Sequence, residues 1–126
     1  MIVDKKTRKV IATAFSCGKV HDFALLKKSR IAFCKETNWR ADSGYQGLNK
    51  LHENAQTPKK KTKLHPLTDE EKAANRQLAR DRVLNEHINA RLKVFRILAE
   101  RYRNRRRRFG LRFNLLAAIY NLEYAQ

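Results

Sequence analysis

The sequence predicts an α/β fold of the α+β type in a single domain over residues 1–126. Residues 1–53 are rich in residues typical of strands and turns, and residues 54–66 are basic with few apolar side chains. Residues 67–126 carry apolar side chains at helical spacing. A hydrophobic content of 42% in 126 residues suits one folded unit with a core. We therefore expect an N-terminal β-hairpin and a short strand, followed by a long helix and a C-terminal apolar helix.

The N-terminal hairpin is predicted from a change in residue type along the first fifteen positions. Residues 1–3 are apolar, residues 4–8 are polar, and residues 9–15 are rich in side chains that fit a pleated surface. Two apolar segments joined by a short polar turn are typical of paired antiparallel strands.

Two aspartates follow the hairpin at positions that suit either structure or chemistry. Asp22 precedes a short apolar run, where it is interpreted equally well as the cap of a short helix or as an active-site neighbour. Residues 39–42 predict a brief strand that leads into a Ser-Gly turn. Asp42 would lie at the end of that strand, where an aspartate that only begins the turn is the simpler interpretation.

The segment over residues 54–66 is predicted to be an exposed basic linker. It contains two prolines and four lysines and has few apolar side chains. A specific contact with DNA is the less favoured alternative for these lysines.

The remaining part, residues 67–126, is predicted to be helical. Thr68 and Glu71 have the spacing of a capping box, in which each side chain bonds the backbone of the other residue. Residues 113–124 are apolar on nearly every side, so this helix should be buried within the domain or against a partner. The residues that recur every three or four positions, and so predict a buried stripe, are Leu84, Ile88, Leu92, Phe95, Leu98 and Tyr102.

The charge of the chain predicts a polyanionic partner. Lys and Arg number 29 against 12 Asp and Glu, which gives a formal net charge of +17. Residues 72–112 hold 14 of these basic residues and 3 acids, so this segment alone carries +11. Because the guanidinium group matches the geometry of phosphate, nucleic acid is the expected partner. The densest basic residues are Arg101, Arg103, Arg105, Arg106, Arg107 and Arg108, which we expect to bind the DNA backbone rather than form a merely solvated face.

Other features of the sequence favour a reducing cytoplasmic interior. No stretch approaches the roughly 18 apolar residues of a membrane span, and the N-terminus does not resemble a signal peptide. Cys17 and Cys34 are too few for a disulfide scaffold. His21 and His87 have no His or Cys at zinc spacing, so a polar structural role is favoured for them over metal binding.

Glu86 is an acidic residue within the basic segment, with Arg82 four positions before it and Lys93 seven after it. On a helix these offsets are about one and two turns, so the three side chains share a face. A carboxylate between two cations suits metal-assisted chemistry on a phosphate. An ordinary surface ion pair, worth roughly 0.2–0.5 kcal/mol, is the alternative.

Four motifs together resemble the C-terminal half of bacterial insertion-sequence transposases of the DDE superfamily, and they occur in the order found there. They cover nearly the whole chain. The motifs are Gly18-Lys19-Val20-His21-Asp22-Phe23, then Ala41-Asp42-Ser43-Gly44-Tyr45-Gln46-Gly47-Leu48, then Arg82-x3-Glu86-x6-Lys93, and finally Arg101-Tyr102-Arg103-Asn104-Arg105 continuing to Phe113-Asn114.

The resemblance implies a partial RNase H-like fold and a two-metal endonuclease site. In such a site, carboxylates bind two divalent ions, Mg²⁺ or Mn²⁺, that promote cutting and joining of DNA strands. The resemblance makes Asp42 and Glu86 the second and third acids, and thus catalytic metal ligands. Arg82 and Lys93 match residues that hold DNA phosphates, while His21 and Asp22 match a motif beside the active site. The implied partners are insertion-element ends, target DNA and further copies of the chain on DNA.

The chain departs from the family pattern in three respects. Ala79 stands where some members have a tyrosine that contacts a phosphate, and Arg40 stands where many have an apolar residue. No residue matches the first catalytic aspartate, which precedes the hairpin in the family. We therefore expect this chain alone to be inactive, and a longer product that includes upstream sequence is one way to supply that aspartate.

Two functions remain open at this point. The first is a DDE transposase, or part of one, that carries out DNA transposition. The second is a catalytically inactive remnant of a decayed insertion element that binds nucleic acid without chemistry.

Overall fold

The computed structural model describes residues 1–16, 18–32, 34–103 and 106–124. It contains small sheets and several helices, which agrees with the predicted α+β class. The chain divides into two compact units, which we call the first unit (Met1–Phe15 with Leu84–Gln126) and the second unit (Ser16–Val83). The strands are β1 Ile2–Val3, β2 Val10–Ala12, β3 Trp39–Arg40 and β4 Ala55–Gln56. The α-helices are α1 Asp22–Ser29, α2 Asp69–Leu92, α3 Arg96–Ala99 and α4 Phe109–Glu123. Short 3₁₀ helices span Ser43–Tyr45, Leu48–Lys50 and Arg106–Arg108.

The predicted N-terminal hairpin is confirmed in the first unit. Strands β1 and β2 pair antiparallel, with Ile2 opposite Ala12 and Val3 opposite Val10. Asp4 organises the turn between them. Its carboxylate accepts hydrogen bonds from the Lys6 amide at 3.0 Å and the Thr7 hydroxyl at 2.6 Å, and these bonds lower the pKa of Asp4.

The core of the first unit joins the hairpin to helices α2 and α4. Val10, Ala117 and Tyr120 are buried there together with Ile88 and Leu92, of which only 2% is exposed. Ile88 and Leu92 belong to the predicted stripe, and Leu84 and Leu98 of the same stripe pack against this core.

The helix that carries the stripe is shorter than the stripe itself. Helix α2 ends at Leu92, and the amides of Val94 and Phe95 form tight turns to Arg91 and Leu92. The apolar pattern continues past this turn into α3, a separate short helix. The turn was not predicted because it interrupts the helix without changing the spacing of the apolar residues.

Helix α4 is buried on one face within the first unit, which agrees with part of the prediction of burial within the domain or against a partner. Leu116, Ala117 and Tyr120 are buried, but the opposite face is open to solvent. Leu111, Leu115 and Leu122 on that face are 73%, 61% and 82% exposed. For this face, burial against a partner stays a prediction, because the contacts within the first unit cover only the opposite side of the helix.

A side chain of α4 bonds directly to the hairpin. The Asn121 amide accepts a hydrogen bond from the Val10 N–H at 2.8 Å and donates one to the Val10 carbonyl at 2.9 Å. Thr13 bonds Asn114, which lies about two turns before Asn121 on the same helix. The outer edge of β2 is thus held by helix side chains rather than by another strand.

The second unit contains the parallel pair of β3 and β4. Trp39 lies opposite Ala55 and Arg40 opposite Gln56, and the Ala41 amide donates to the Gln56 carbonyl at 3.0 Å. Strand β4 falls within residues 54–66, so the segment predicted as a linker begins as part of this sheet. Its lysines at positions 59–61 and 63 are exposed, as predicted.

The predicted capping box at the start of α2 is confirmed. The Thr68 amide donates to the Glu71 carboxylate at 3.1 Å, and the Glu71 amide donates to the Thr68 hydroxyl at 3.2 Å. Lys59 also donates to Glu71 at 2.8 Å. The hydrogen bond from Lys59, followed by the one from Thr68, lowers the pKa of Glu71.

Candidate active site

Asp42 lies two residues beyond β3, at the point where the parallel pair ends. Its extended backbone makes it the N-cap of the 3₁₀ helix Ser43–Tyr45, and its Oδ1 atom accepts a hydrogen bond from the Ser43 amide. The Tyr45 amide donates to the Asp42 carbonyl at 2.9 Å. These bonds fix the direction of the carboxylate, which remains 47% exposed.

Arg82 forms an ion pair with Asp42. The Nη1 atom of Arg82 lies 3.1 Å from the Oδ1 atom of Asp42, and the Arg82 side chain is 31% exposed. A pair this exposed contributes only about 0–1 kcal/mol to stability. Its importance here is geometric, because it places a cation directly beside the carboxylate that follows β3. The simple alternative from the sequence, an Arg82–Glu86 surface pair, is not the ion pair that Arg82 forms.

The two residues of a second ion pair lie close in sequence to Asp42 and Arg82. Arg40, in β3, pairs with Asp81, which precedes Arg82 in α2. The Asp81 side chain is only 10% exposed. Arg40 was an unexpected residue for this strand, and its contact with an acid on the helix explains how the strand accommodates it. No local pattern indicates this role for Asp81, because 41 positions separate it from Arg40.

Asp22 and Asp42 are both close enough to Tyr45 to affect its ionisation. The ring of Tyr45 packs edge-on against Phe23, with 6.4 Å between centroids, and so holds the start of α1 beside the 3₁₀ helix. The pKa of Tyr45 is raised, first by burial and then by the negative charges of Asp22 and Asp42. Its hydroxyl therefore stays protonated at neutral pH. Sequence reasoning did not single out Tyr45.

The cap of α1 is His21 rather than Asp22. His21 Nδ1 accepts a hydrogen bond from the Phe23 amide at 3.3 Å, and Asp22 is the first residue inside the helix. The cap prediction for Asp22 was therefore wrong by one position. At the first helical position, the Asp22 carboxylate interacts favourably with the positive end of the helix dipole.

Glu86 and Lys93 belong to the first unit, whereas Asp42 and Arg82 belong to the second. Glu86 lies in α2 between the inward-facing Leu84 and Ile88 and is exposed to solvent, as its position off the apolar stripe predicts. It forms no ion pair with any residue in the described part of the chain. Lys93 is exposed directly after α2, and its amide donates to the Asn89 carbonyl at 3.0 Å.

The carboxylates have the donor chemistry of a site for Mg²⁺ or Mn²⁺. Both the Ser43 amide and Arg82 engage Oδ1 of Asp42, so its Oδ2 atom accepts no hydrogen bond from any described residue. An oriented carboxylate oxygen of this kind suits a hard divalent cation. Among residues 1–16, 18–32, 34–103 and 106–124, no three His, Cys, Asp or Glu side chains cluster as a complete metal site.

The basic segment after α3 presents its arginines to solvent. Arg101 and Arg103 are exposed, Arg106, Arg107 and Arg108 form an exposed 3₁₀ helix, and Arg105 lies outside the described residues. Tyr102, between the first two, packs edge-on against Phe109 with 5.0 Å between ring centroids, and its hydroxyl accepts a hydrogen bond from Arg112 at 2.6 Å. The segment is thus anchored by an aromatic contact while its charges remain accessible to an anion.

Comparisons with known proteins identify the family of the chain. Residues 1–122 match the family described as the transposase DDE domain. A protein of Microchaete diplosiphon, described as a probable transposase for insertion sequence element IS702, is 47% identical over 125 residues. That match covers 99% of this chain and 45% of the relative. No solved structure matches the chain.

The chain therefore belongs to the transposase DDE domain family, and it spans less than half the length of the curated relative that it matches. The family resemblance drawn from the four motifs is confirmed. No helix in the described part of the chain has the length and apolar character needed to cross a membrane.

Proposed function

We propose that this chain contributes the second and third acids, Asp42 and Glu86, to a DDE transposase that cuts and joins DNA strands during transposition. The observation that carries the proposal is the Asp42–Arg82 pair at the end of β3, which sets a phosphate-binding cation beside an oriented carboxylate with a free oxygen. The membership of the transposase family supplies the reaction class. The relative's greater length is consistent with a first acid that lies outside the aligned residues.

In this proposal, the carboxylates of Asp42 and Glu86 hold two divalent ions, Mg²⁺ or Mn²⁺. Bound ions of this kind activate the attacking oxygen and stabilise the leaving oxygen of an in-line phosphoryl displacement. Arg82 and Lys93 would neutralise the phosphate at the cut, and Asp42 would offer its Oδ2 atom to a bound ion, since the Ser43 amide and Arg82 both contact Oδ1. His21 and Asp22 lie at the start of α1, and both Asp22 and Asp42 place negative charge near Tyr45. The RNase H-like arrangement of strands remains part of the proposal.

The basic segment supplies DNA affinity in the same proposal. Arg101, Arg103 and the 3₁₀ helix Arg106–Arg108 contact backbone phosphates, together with Arg105. The partners are insertion-element ends and target DNA, on which several copies of the protein assemble. The expected location is the bacterial cytoplasm, in association with the nucleoid.

Strand cleavage tests the proposal. The chain should be produced jointly with any coding sequence that precedes it at its locus and incubated with supercoiled plasmid and Mg²⁺ or Mn²⁺. Asp42→Asn and Glu86→Gln, which keep size and remove charge, should each abolish metal-dependent nicking and leave DNA affinity nearly unchanged. Glu100→Gln is the matched control, because Glu100 pairs loosely with Arg96 at 3.9 Å, away from both acids in sequence. Nicking retained by either active-site variant would contradict the assignment. DNA binding without nicking by any version favours the inactive remnant.

A further inference from the structure

The face of helix α4 that points away from the core of the first unit carries a row of apolar side chains. Leu111, Leu115, Ala118 and Leu122 are all exposed. Their spacings of four, three and four residues place them in one line along the helix, as in the contact line of a coiled coil. We call these four residues the α4 seam. Three leucines in one line on a solvent-facing helix form a surface that a second helix can cover.

Contacts on the other sides of α4 hold the seam in a fixed direction. Ala117 and Tyr120 lie in the core with Ile88. The Asn121 side chain bonds both backbone groups of Val10. The helix therefore does not need to become ordered when a partner covers the seam, which reduces the entropy lost on association.

The α4 seam is complementary to itself when two copies of the helix run antiparallel. The spacing is the same from either end, so one register pairs all four positions. In that register, Leu111 of each copy faces Leu122 of the other, and Leu115 faces Ala118. Leucine thus packs on leucine at both ends. In the middle a large side chain meets a small one, which lets the helix axes approach to about 8–10 Å. The same patch on both copies forms a two-fold interface.

Charges beside the seam favour the antiparallel direction. Glu123 is the only acidic residue of α4 and lies at its end, whereas Arg108 directly precedes the helix. Fifteen residues, or about four turns, separate them, so both flank the seam on the same side. None of the ion pairs among the described residues involves either side chain. The other cation of the helix, Arg112, bonds the Tyr102 hydroxyl. An antiparallel pair sets Glu123 of each copy beside Arg108 of the other, whereas a parallel pair sets like charges together.

We propose that the α4 seam joins two copies of this chain as an antiparallel helix pair. A second copy fits the seam better than DNA does, because none of the four apolar side chains can bind a phosphate. The contact spans one helix of 15 residues and is smaller than a standard interface of about 1,600 Å², so the pair dissociates on dilution. The proposed function places several copies on DNA, and this inference rests on it only for the use of the pair. The pairing itself occurs without DNA.

Sedimentation velocity of the 126-residue chain without DNA measures the pairing. The runs cover about a hundredfold range of concentration, in salt that screens the net charge of +17. A monomer–dimer equilibrium is expected. Leu115→Lys should raise the dissociation constant of the dimer at least about tenfold, because it removes apolar surface from both copies and brings two charges together near the two-fold axis. Leu64→Lys is the matched control and should leave this constant unchanged, since Leu64 is 86% exposed in the second unit.

Charge reversal tests the direction of the pair. Glu123→Arg and Arg108→Glu should each raise the dissociation constant at least about threefold, since each reversed charge lies beside a like charge of the other copy at both ends of the seam. The chain that carries both substitutions should regain most of the lost affinity, because opposite charges face each other again. Circular dichroism establishes that every variant is folded.

The outcomes separate this inference from the proposed function. A chain that stays monomeric at every concentration overturns the pairing and leaves the proposed function standing. An effect of Leu64→Lys as large as that of Leu115→Lys does the same. The antiparallel register is overturned if the doubly reversed chain pairs no more tightly than the two single variants. Metal-dependent nicking retained by Asp42→Asn contradicts the proposed function and leaves the pairing standing.

Discussion

The Arg82 guanidinium lies 3.1 Å from the Asp42 carboxylate. A metal ion proposed to bind Asp42 and a DNA phosphate proposed to bind Arg82 would therefore lie next to each other. A divalent ion that approaches Asp42 is repelled by Arg82 and competes with it. We therefore expect Arg82→Gln to change two affinities in opposite directions. Mn²⁺ should bind the chain about two- to fivefold more tightly, as loss of an exposed charge interaction of up to about 1 kcal/mol allows, and DNA should bind more weakly.

Isothermal titration with Mn²⁺ and anisotropy with labelled DNA measure the two effects on the same preparation. Arg80→Gln is the control, because Arg80 is exposed on the same helix and forms no ion pair with the described residues. A decrease in Mn²⁺ affinity on loss of Arg82 would show that the arginine supports the metal site instead of competing for it.

The arginines of the 3₁₀ helix Arg106–Arg108 should dominate the salt dependence of DNA binding. Each backbone phosphate contact contributes about 0.9 to the slope of log affinity against log salt. Changing all three arginines to Gln should therefore lower the slope by about 0.9 for each phosphate that is no longer neutralised. The slope is read from binding curves at several salt concentrations.

Removal of three charges elsewhere provides the comparison. Lys60, Lys61 and Lys63 are exposed in the second unit, and their change to Gln should lower the slope by less. Equal slopes for the two triple variants would mean that total charge, and not the anchored arginine segment, determines binding.

Asn121 should stabilise the first unit by more than a surface amide does. Its side chain bonds both backbone groups of Val10, which is 7% exposed, so Asn121→Ala leaves a buried donor and acceptor without partners. A loss of about 1–3 kcal/mol in the free energy of unfolding follows, even though alanine favours a helix. Urea unfolding gives this value, and hydrogen exchange at the Val10 amide localises it.

Asn89→Ala is the control for that measurement, since Asn89 is exposed on α2 in the same unit. A change within about 0.5 kcal/mol is expected for such a surface position. If the two alanine variants were equally stable, the contact of Asn121 with β2 would have no role in holding the hairpin.

The start of α2 should lose stability in acid. The pKa of Glu71 is lowered below 4.5 in the folded chain, mainly by the hydrogen bond from Lys59 and then by that from Thr68. A group with a depressed folded pKa stabilises the fold above its unfolded pKa, and this contribution disappears as the pH falls through the folded value. Unfolding measured between about pH 6 and pH 2 should show a loss of stability, of which Glu71→Gln removes the part due to this carboxylate and leaves the part due to Asp4. Glu70→Gln, which leaves the capping box intact, should keep the wild-type pH dependence.

Local contacts were predictable from the sequence, whereas contacts between distant residues were not. The Thr68–Glu71 box and the burial of Ile88 and Leu92 depend on residues within a few turns, so their spacing determined them. The Asp42–Arg82 pair joins residues 40 positions apart, and no charge pattern selects Arg82 for Asp42 over Glu86. Which face of α4 packs within the first unit was not predictable for the same reason, because the neighbours of a helix are not encoded in its own pattern.

The site was predictable to the same extent. The motif order predicted Asp42 and Arg82 as site residues, but it gave no indication that Asp22 and Asp42 both act on Tyr45. It also missed the pair of Arg40 with Asp81, which depends on how β3 lies along α2. A candidate site residue can be recognised from a single motif, whereas the charges that act on it together can be recognised only in the folded structure.

The contact of Asn121 with Val10 also bears on aggregation, because it covers part of the edge of strand β2. A free strand edge invites a strand of another molecule, and repetition of that event produces fibrils. Here a helix side chain already occupies the N–H and carbonyl that an incoming strand would need. The Asn121 side chain thus hinders the addition of a strand at β2. Without this side chain, the free edge of β2 would favour aggregation as well as reduce stability.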